Sequence, residues 1–416
     1  MLNFLIMIVI FFALYMLVFF TLTLLNVENK REKITKYPSV TLLIPAYNEE
    51  EGIRRTIESC LKIDYPGKTK ILVVDDASKD NTVKVVEEYK DKVELIKRKK
   101  NKGKAAALNE ALKKIDTEYF TVIDADSLIT KRSLKRAITN FYKKNDEEIG
   151  AVICKLKPEN EEGSLVQRIQ VIEYMFVGLI RTLTAKLRLL HITPGVLSIY
   201  KTRIVKEIGG FDEKNLTEDF EIAVQIRKRG YLIDFATESL VLTRTPDTWG
   251  KLFKQRLRWF RGFFRTHFKH RDIYFNKKQG LFGFFEFPLN PLGITLFFTA
   301  VFVLSFNLYR TLYEFIFMLI NTPSLISFEL ITLQEFILRT NFQLLLPTMF
   351  TILITLFIIY LISKYYDTYF FIRKPITKLT TIIIYIMAYN YIYLYIIPKA
   401  LILELKGKKY DWGTKK

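Results

Sequence analysis

Between Val40 and Asp126, short β-prone runs alternate with helix-spaced runs, and this alternation restricts the fold more than any other feature. Val40–Ile44, Lys70–Val74, Val93–Ile96 and Tyr119–Ile123 are apolar runs of strand length. Between them, Ile53, Ile57, Cys60 and Leu61 recur at helical spacing, as do Val83, Val86 and Tyr89. Ala107, Leu108, Ala111, Leu112 and Ile115 do the same before the fourth run. Strands joined by helices of this kind cross over to lie parallel, with helices on both faces. Ligands of such sheets bind at the carboxyl ends of the strands. Asn48, Asp75 with Asp76, and Asp124 with Asp126 all fall at predicted strand ends. Asp124 and Asp126 point to one side of their strand and Ala125 to the other. Two such carboxylates repel each other and lose hydration, unless an oxygen-preferring divalent cation and a phosphate-bearing ligand face them.

The chain continues with an amphipathic helix over Lys131–Lys144 and a strand over Gly150–Lys155. Long helices are expected over Leu165–Leu190, and an apolar strand follows Pro194-Gly195. Thr217 is placed to cap a helix that carries Glu218 and Asp219, and Gly230 ends that helix. Two strands are expected near Tyr231–Phe235 and Leu240–Thr243. Trp249–His270 mixes aromatic and basic residues in the pattern of a helix lying in a membrane interface.

Half of the 416 residues are hydrophobic, and they cluster at the two ends. Residues 2–25 form an uncharged run of membrane-spanning length without a basic leader or a small-residue cleavage site, so they read as a retained anchor. Apolar stretches at about 284–308, 343–363 and 379–403 are three further spans. The resulting division is an anchor at 1–30, a soluble domain at 36–245, interfacial helices at 246–278, membrane helices at 279–405 and a basic tail at 406–416. The net charge of +20 would suit nucleic acid, but the basic residues sit beside the apolar spans, as cytoplasmic membrane-flanking charge does. A multi-pass protein of the cell membrane with a cytoplasmic soluble domain follows. Four spans would leave the basic tail outside, against the positive-inside tendency, and an extra crossing or re-entrant segment in 312–337 would reverse that. Cys60 and Cys154 read as reduced core residues, and no cysteine–histidine set has zinc spacing.

Seven motifs occur in order: Ile44-Pro-Ala46-Tyr-Asn48-Glu49, Val74-Asp75-Asp76-Ala-Ser78, Asn101-Lys-Gly-Lys104, Asp124-Ala-Asp126, Gly209-Gly-Phe-Asp212, Thr217-Glu218-Asp219 and Gln255-Arg-Leu-Arg258-Trp259. In this order the chain resembles the membrane-embedded processive glycosyltransferases of family 2, which include poly-N-acetylglucosamine, hyaluronan, chitin and cellulose synthases. The resemblance runs from about Val40 to Arg265. It implies an α/β GT-A fold, a UDP-linked nucleotide-sugar donor and Mg²⁺ or Mn²⁺. It also implies roles. Ala46, Asn48 and Glu49 would border the donor, Asp75 or Asp76 would hold the uracil or ribose, and Lys104 would approach the nucleotide. Asp124 and Asp126 would face the diphosphate, with Asp126 the main metal ligand. Asp219 would be the base, Gln255 and Arg258 would line the diphosphate, and Trp259 with Glu218 would lie on the acceptor side.

The chemistry agrees. Departure of a nucleoside diphosphate builds negative charge, which a divalent cation and Arg258 would offset. An acceptor hydroxyl needs a carboxylate to take its proton, and the helix N-terminus favours the ionised form of Asp219. The expected activity is inverting transfer onto a growing β-linked polysaccharide, coupled to export across the bilayer. The alternatives are transfer of one sugar to a membrane lipid, and a non-catalytic polymer-binding membrane protein. An intact carboxylate set argues against the last.

Overall fold

The computed structural model describes Tyr37–Tyr142, Glu148–Asn321 and Pro375–Lys408, with five scattered positions between Met7 and Thr21. The expected spans at 2–25 and 343–363, and most of the 312–337 segment, fall outside the described residues. The chain divides into two units. One joins Glu28–Phe284 to Ile372–Lys416, and the other joins Met1–Val27 to Phe285–Phe371.

The first unit is built on one eight-stranded sheet. Its strands are β1 (Val40–Ala46), β2 (Thr69–Asp75), β3 (Glu94–Lys97), β4 (Tyr119–Val122), β5 (Leu128–Ile129), β6 (Ile149–Pro158), β7 (Ser198–Lys201) and β8 (Leu232–Thr243). The spatial order is β3-β2-β1-β4-β7-β6-β8-β5. The first four are parallel, as the alternation requires. The rest depart from the all-parallel expectation, because β7 runs antiparallel to both β4 and β6. The crossover between β6 and β7 is a long helix that returns the chain to the far edge of β4, so β7 enters from the opposite end. The two strands expected at 231–243 are one strand, β8, which pairs with β6 throughout and bulges between Ala236 and Leu240. Ser239 in that bulge donates to the carbonyl of Ser133, so the extra residues keep their hydrogen bonds.

Both faces are covered. Leu42, Ile44, Ile71 and Val73 pack with Ile53, Ile57 and Cys60 of α1 (Ile53–Leu61). The alternate residues Leu43, Leu72 and Val74 pack on the other face. There they meet Ala107, Leu108 and Ala111 of α3 (Lys104–Lys114), which follows the short α2 (Thr82–Glu87). This period of two is why the strand runs have no polar face. The helix expected over 131–144 is shorter: α4 (Ser133–Ile138) tightens into a 3₁₀ turn at Thr139–Tyr142. α5 (Leu165–Lys186) is a single helix capped at Ser164 by a reciprocal bond with Gln167. α6 (Thr202–Ile208) and α7 (Glu218–Lys228) lead to β8. Cys60 and Cys154 are buried free thiols.

After β8 comes α8 (Trp249–Lys269). Its amphipathic pattern does not mean a helix free on one face, because Arg256 and Arg261 point inward and are almost completely buried. The C-terminal segment accounts for them. α10 (Pro375–Met387) follows α9 (Phe287–Asn321), which belongs to the second unit. A 3₁₀ turn (Tyr389–Ile392) then joins α10 to α11 (Tyr393–Leu405). Glu404 of α11 takes ion pairs from Arg261 and Arg265. Phe282–Val303 and Leu379–Leu405 are long and apolar enough to cross a membrane.

Removing one member of a buried ion pair strands the other. Glu404→Ala is expected to lower stability by about 3–5 kcal/mol. Leu405→Ala, at an exposed neighbour, should change it by less than about 0.5 kcal/mol. Denaturant unfolding of the purified protein in detergent measures both.

Candidate active site

The carboxyl ends of β1, β2 and β4 open on one side of the sheet, as parallel register dictates. Asp75, the last residue of β2, accepts from the Ser78 amide through Oδ2 at 3.1 Å. Its buried Oδ1 has no hydrogen-bond partner among the described residues. Asp76 is committed to its own chain. It pairs with Arg98 and accepts from the amides of Lys102 and Gly103, the latter at 2.7 Å. That anchors the Asn101–Lys104 loop at the point where α3 begins, and Gly103 turns there with φ of 92°. Ala46 accepts from the Asp76 amide. Asn48 has φ of 54° and accepts from the Lys79 amide, and the Glu49 amide donates to Thr82. These three residues therefore join the β1 turn to the β2 turn.

Asp124 and Asp126 follow β4. Lys104 Nζ lies 2.5 Å from Asp124 Oδ1 and 3.4 Å from Glu218 Oε1. Burial works against the Lys104 charge, but Asp124, Glu218 and Asp219 outweigh it and raise its pKa. Burial, and then the charge of Asp124, raise the Asp126 pKa. A divalent cation would relieve that strain, and two carboxylates that leave other positions to diphosphate and water suit Mg²⁺ or Mn²⁺. No set of three or more protein ligands able to cage a metal occurs among the described residues, so the diphosphate would have to complete the shell.

Asp219 stands in the first turn of α7. Its Oδ2 accepts from the Gly195 amide at 3.0 Å, and its Oδ1 accepts from the Phe220 amide at 2.8 Å. Its pKa is pushed up to about 6, by burial first and then by Glu218, against the pull of Lys104 and Arg258. Glu218 is buried beside Lys104. Thr217 occupies the cap position, but its hydroxyl turns to Asn215 and makes no capping bond. The reason lies in α8: a Cβ at Gly262 would fall 2.1 Å from Thr217 Oγ1, so the two helices meet where only glycine fits. That contact brings α8 against the start of α7. Arg258 donates to the Leu216 carbonyl there, at 3.1 Å. Gln255 and Trp259 lie on the same helix, each in contact with Arg256.

Three residues escaped the sequence reading. A Cβ at Gly195 would lie 2.7 Å from Lys104 Nζ and 3.5 Å from Asp219 Oδ2, so the cluster closes around a missing side chain. Gly52 packs α1 against the Ala125 carbonyl, and Thr56 donates to that carbonyl at 2.8 Å. Only the Pro194-Gly195 pair carried a signal, and it read as the start of a strand.

Residues 38–262, more than half of the chain, match the family described as glycosyltransferase like family 2. The chain belongs to that family. It is 32% identical over 245 residues to the probable glycosyltransferase YdaM of Bacillus subtilis (strain 168), covering 57% of this chain and 58% of that one. It is 30% identical over 270 residues to the poly-beta-1,6-N-acetyl-D-glucosamine synthase of Staphylococcus aureus (strain COL), covering 62% and 65%. The matched stretch thus spans less than two thirds of either relative. The fold is also that of the mannosyltransferase PcManGT from Pyrobaculum calidifontis, solved in complex with GDP-Man and Mn2+. There the TM-score is 0.63 at 19% identity, over 98% of this chain and 100% of that one. The protein is therefore a family 2 glycosyltransferase with a GT-A-like α/β sheet.

A methyl group at Gly195 would press on Lys104 Nζ, 2.7 Å away, while Asp219 Oδ2 at 3.5 Å stays in ordinary contact. Gly195→Ala should lower sugar transfer, by up to about a hundredfold where Lys104 is displaced by about 1 Å. Initial rates against the wild type test this. A carboxylate takes a proton only when ionised, so a base at Asp219 predicts that kcat/KM falls as pH drops through about 6. Lys104→Met removes a cation that lowers the Asp219 pKa, so the acid limb of its pH profile should move to higher pH.

Proposed function

We propose that the protein moves a sugar from a nucleoside-diphosphate donor onto a growing β-linked polysaccharide at a membrane, with inversion at the anomeric carbon. The observation that carries this is the joint placement of Asp219, Lys104 and Asp124 around Gly195. One carboxylate with a pKa near 6 stands across from a carboxylate pair suited to a cation.

Each residue has a role in this reading. The unpartnered Asp75 Oδ1 accepts from the nucleobase. A uracil N3–H meets that need, and so does a guanine N–H edge, so the orphan atom does not choose between them. UDP is the favoured donor, as the resemblance of the seven motifs to the polysaccharide synthases implies. Asp126 with Asp124 would hold Mg²⁺ or Mn²⁺, which when bound neutralises charge on the diphosphate. Lys104 and Arg258 add fixed positive charge on the same side. Asp219 takes the proton of the acceptor hydroxyl, and the Gly195 and Phe220 amides hold its carboxylate in place. One base and a leaving group on the opposite face require in-line attack, hence inversion. The two apolar stretches and the basic residues beside them support a bilayer partner, a cytoplasmic catalytic domain and export of the product.

Purified protein with Mn²⁺ should convert UDP-N-acetylglucosamine to high-molecular-mass product. Asp219→Asn and Asp126→Ala should each lower the rate at least about a hundredfold, as loss of a general base or of a charge-stabilising group does. The donor screen includes GDP-mannose, and product sizing distinguishes polymer from a single glycolipid. No turnover of any nucleotide sugar, or full activity of Asp219→Asn, would overturn the proposal.

A further inference from the structure

Arg256 lies inside the Gln255–Trp259 motif, yet the roles above leave it unused. It is 1% exposed. A guanidinium is expensive to bury without a carboxylate. Arg256 pairs with Glu173 of α5. Glu173 also accepts from the hydroxyls of Tyr389 at 3.0 Å and Tyr393 at 2.8 Å, on the C-terminal segment. Val166, Ile169, Leu252, Tyr385 and Ile392 surround this network and limit access of water to it.

The same guanidinium touches both ends of the motif. It donates to the Gln255 amide oxygen, and its carbon lies 4.1 Å from the Trp259 ring centroid. The first contact fixes which end of the Gln255 amide points away, leaving the NH₂ group to donate. The second covers one face of the indole and holds its plane by cation–π attraction. Gln255 and Trp259 are spaced four apart and share one helix face, so Arg256 orients them together.

We infer that Glu173 and Arg256 are positioning residues for the acceptor side of the site, and that Tyr389 and Tyr393 tie their geometry to the C-terminal helices. Through this network, α5, α8 and α11 set one orientation of Trp259, with its uncovered face toward a sugar ring. The inference rests on the proposed transferase reading. One arm of its test needs no substrate.

The chain has three tryptophans. Replacing Trp249 and Trp412 by Phe leaves Trp259 as the sole emitter in the full-length protein. In that background Glu173→Gln and Arg256→Lys should shift Trp259 emission to the red and increase its quenching by acrylamide. With UDP-N-acetylglucosamine, Mn²⁺ and a β-linked N-acetylglucosamine oligosaccharide, the oligosaccharide KM should rise about tenfold through Trp259, and the donor KM, which senses only the Gln255 contact, should rise by clearly less. The Tyr389→Phe/Tyr393→Phe double variant removes only two hydroxyls, and it should move both readouts in the same direction by less. It keeps the test alive if Glu173→Gln fails to fold. Unchanged Trp259 emission and quenching in these variants would overturn the inference, as would donor and oligosaccharide KM rising in parallel. A wild type without transferase activity, together with the expected emission shift, would sink the functional reading and leave the orienting network standing.

Discussion

Several carboxylates converge at one partly sheltered corner, and the rest of the site is arranged around that charge. Asp124, Glu218 and Asp219 come from two distant parts of the chain and meet beside Gly195. Unscreened, they would take up protons. Lys104 lies among them as an internal counter-ion, and Arg258 adds a second positive field at Asp219. The balance is deliberately incomplete: Asp126 and Asp219 both stay above the usual carboxylate range. Residual negative charge on the pair attracts a cation, and a raised pKa at Asp219 suits a base near neutral pH. In the proposed reading, one electrostatic conflict serves both halves of a transfer reaction.

The scaffold exists to hold that conflict in place. Asp76 spends its hydrogen bonds on Arg98 and the Lys102 and Gly103 amides, which sets where Lys104 emerges. Gly262 lets α8 approach α7 closely enough for Arg258 to reach the carboxylate end. Glu404 and Glu173 anchor the inward-facing arginines of α8, so a helix that reads as amphipathic is clamped from behind. Its basic residues serve packing as much as any surface.

Much of this was legible beforehand. The parallel half of the sheet followed from apolar runs at crossover spacing, because strands buried on both faces have no polar alternation to confuse the reading. The carboxylates at strand ends followed from the same topology. Other features were not legible. The antiparallel entry of β7 depends on how far α5 carries the chain, and helix length in isolation does not set strand direction. The β8 bulge hid a single strand behind an apparent break at Thr237–Ser239. The interfacial pattern of Trp249–His270 showed amphipathicity but not which arginines face inward, since periodicity records polarity and not partners.

By itself, the amino-acid order determined the fold class, the family and the types of residue available for metal, donor and base, since these depend on local spacing and residue chemistry. Only the tertiary structure separated the duties of adjacent carboxylates. Asp75 keeps one oxygen without a hydrogen-bond partner among the described residues while Asp76 is consumed by its own loop, and Glu218 turns to Lys104 while Asp219 is held by two amides. Neighbouring residues of identical chemistry differ only in which way the backbone turns them and in what the rest of the chain places opposite, and that is decided by long-range packing.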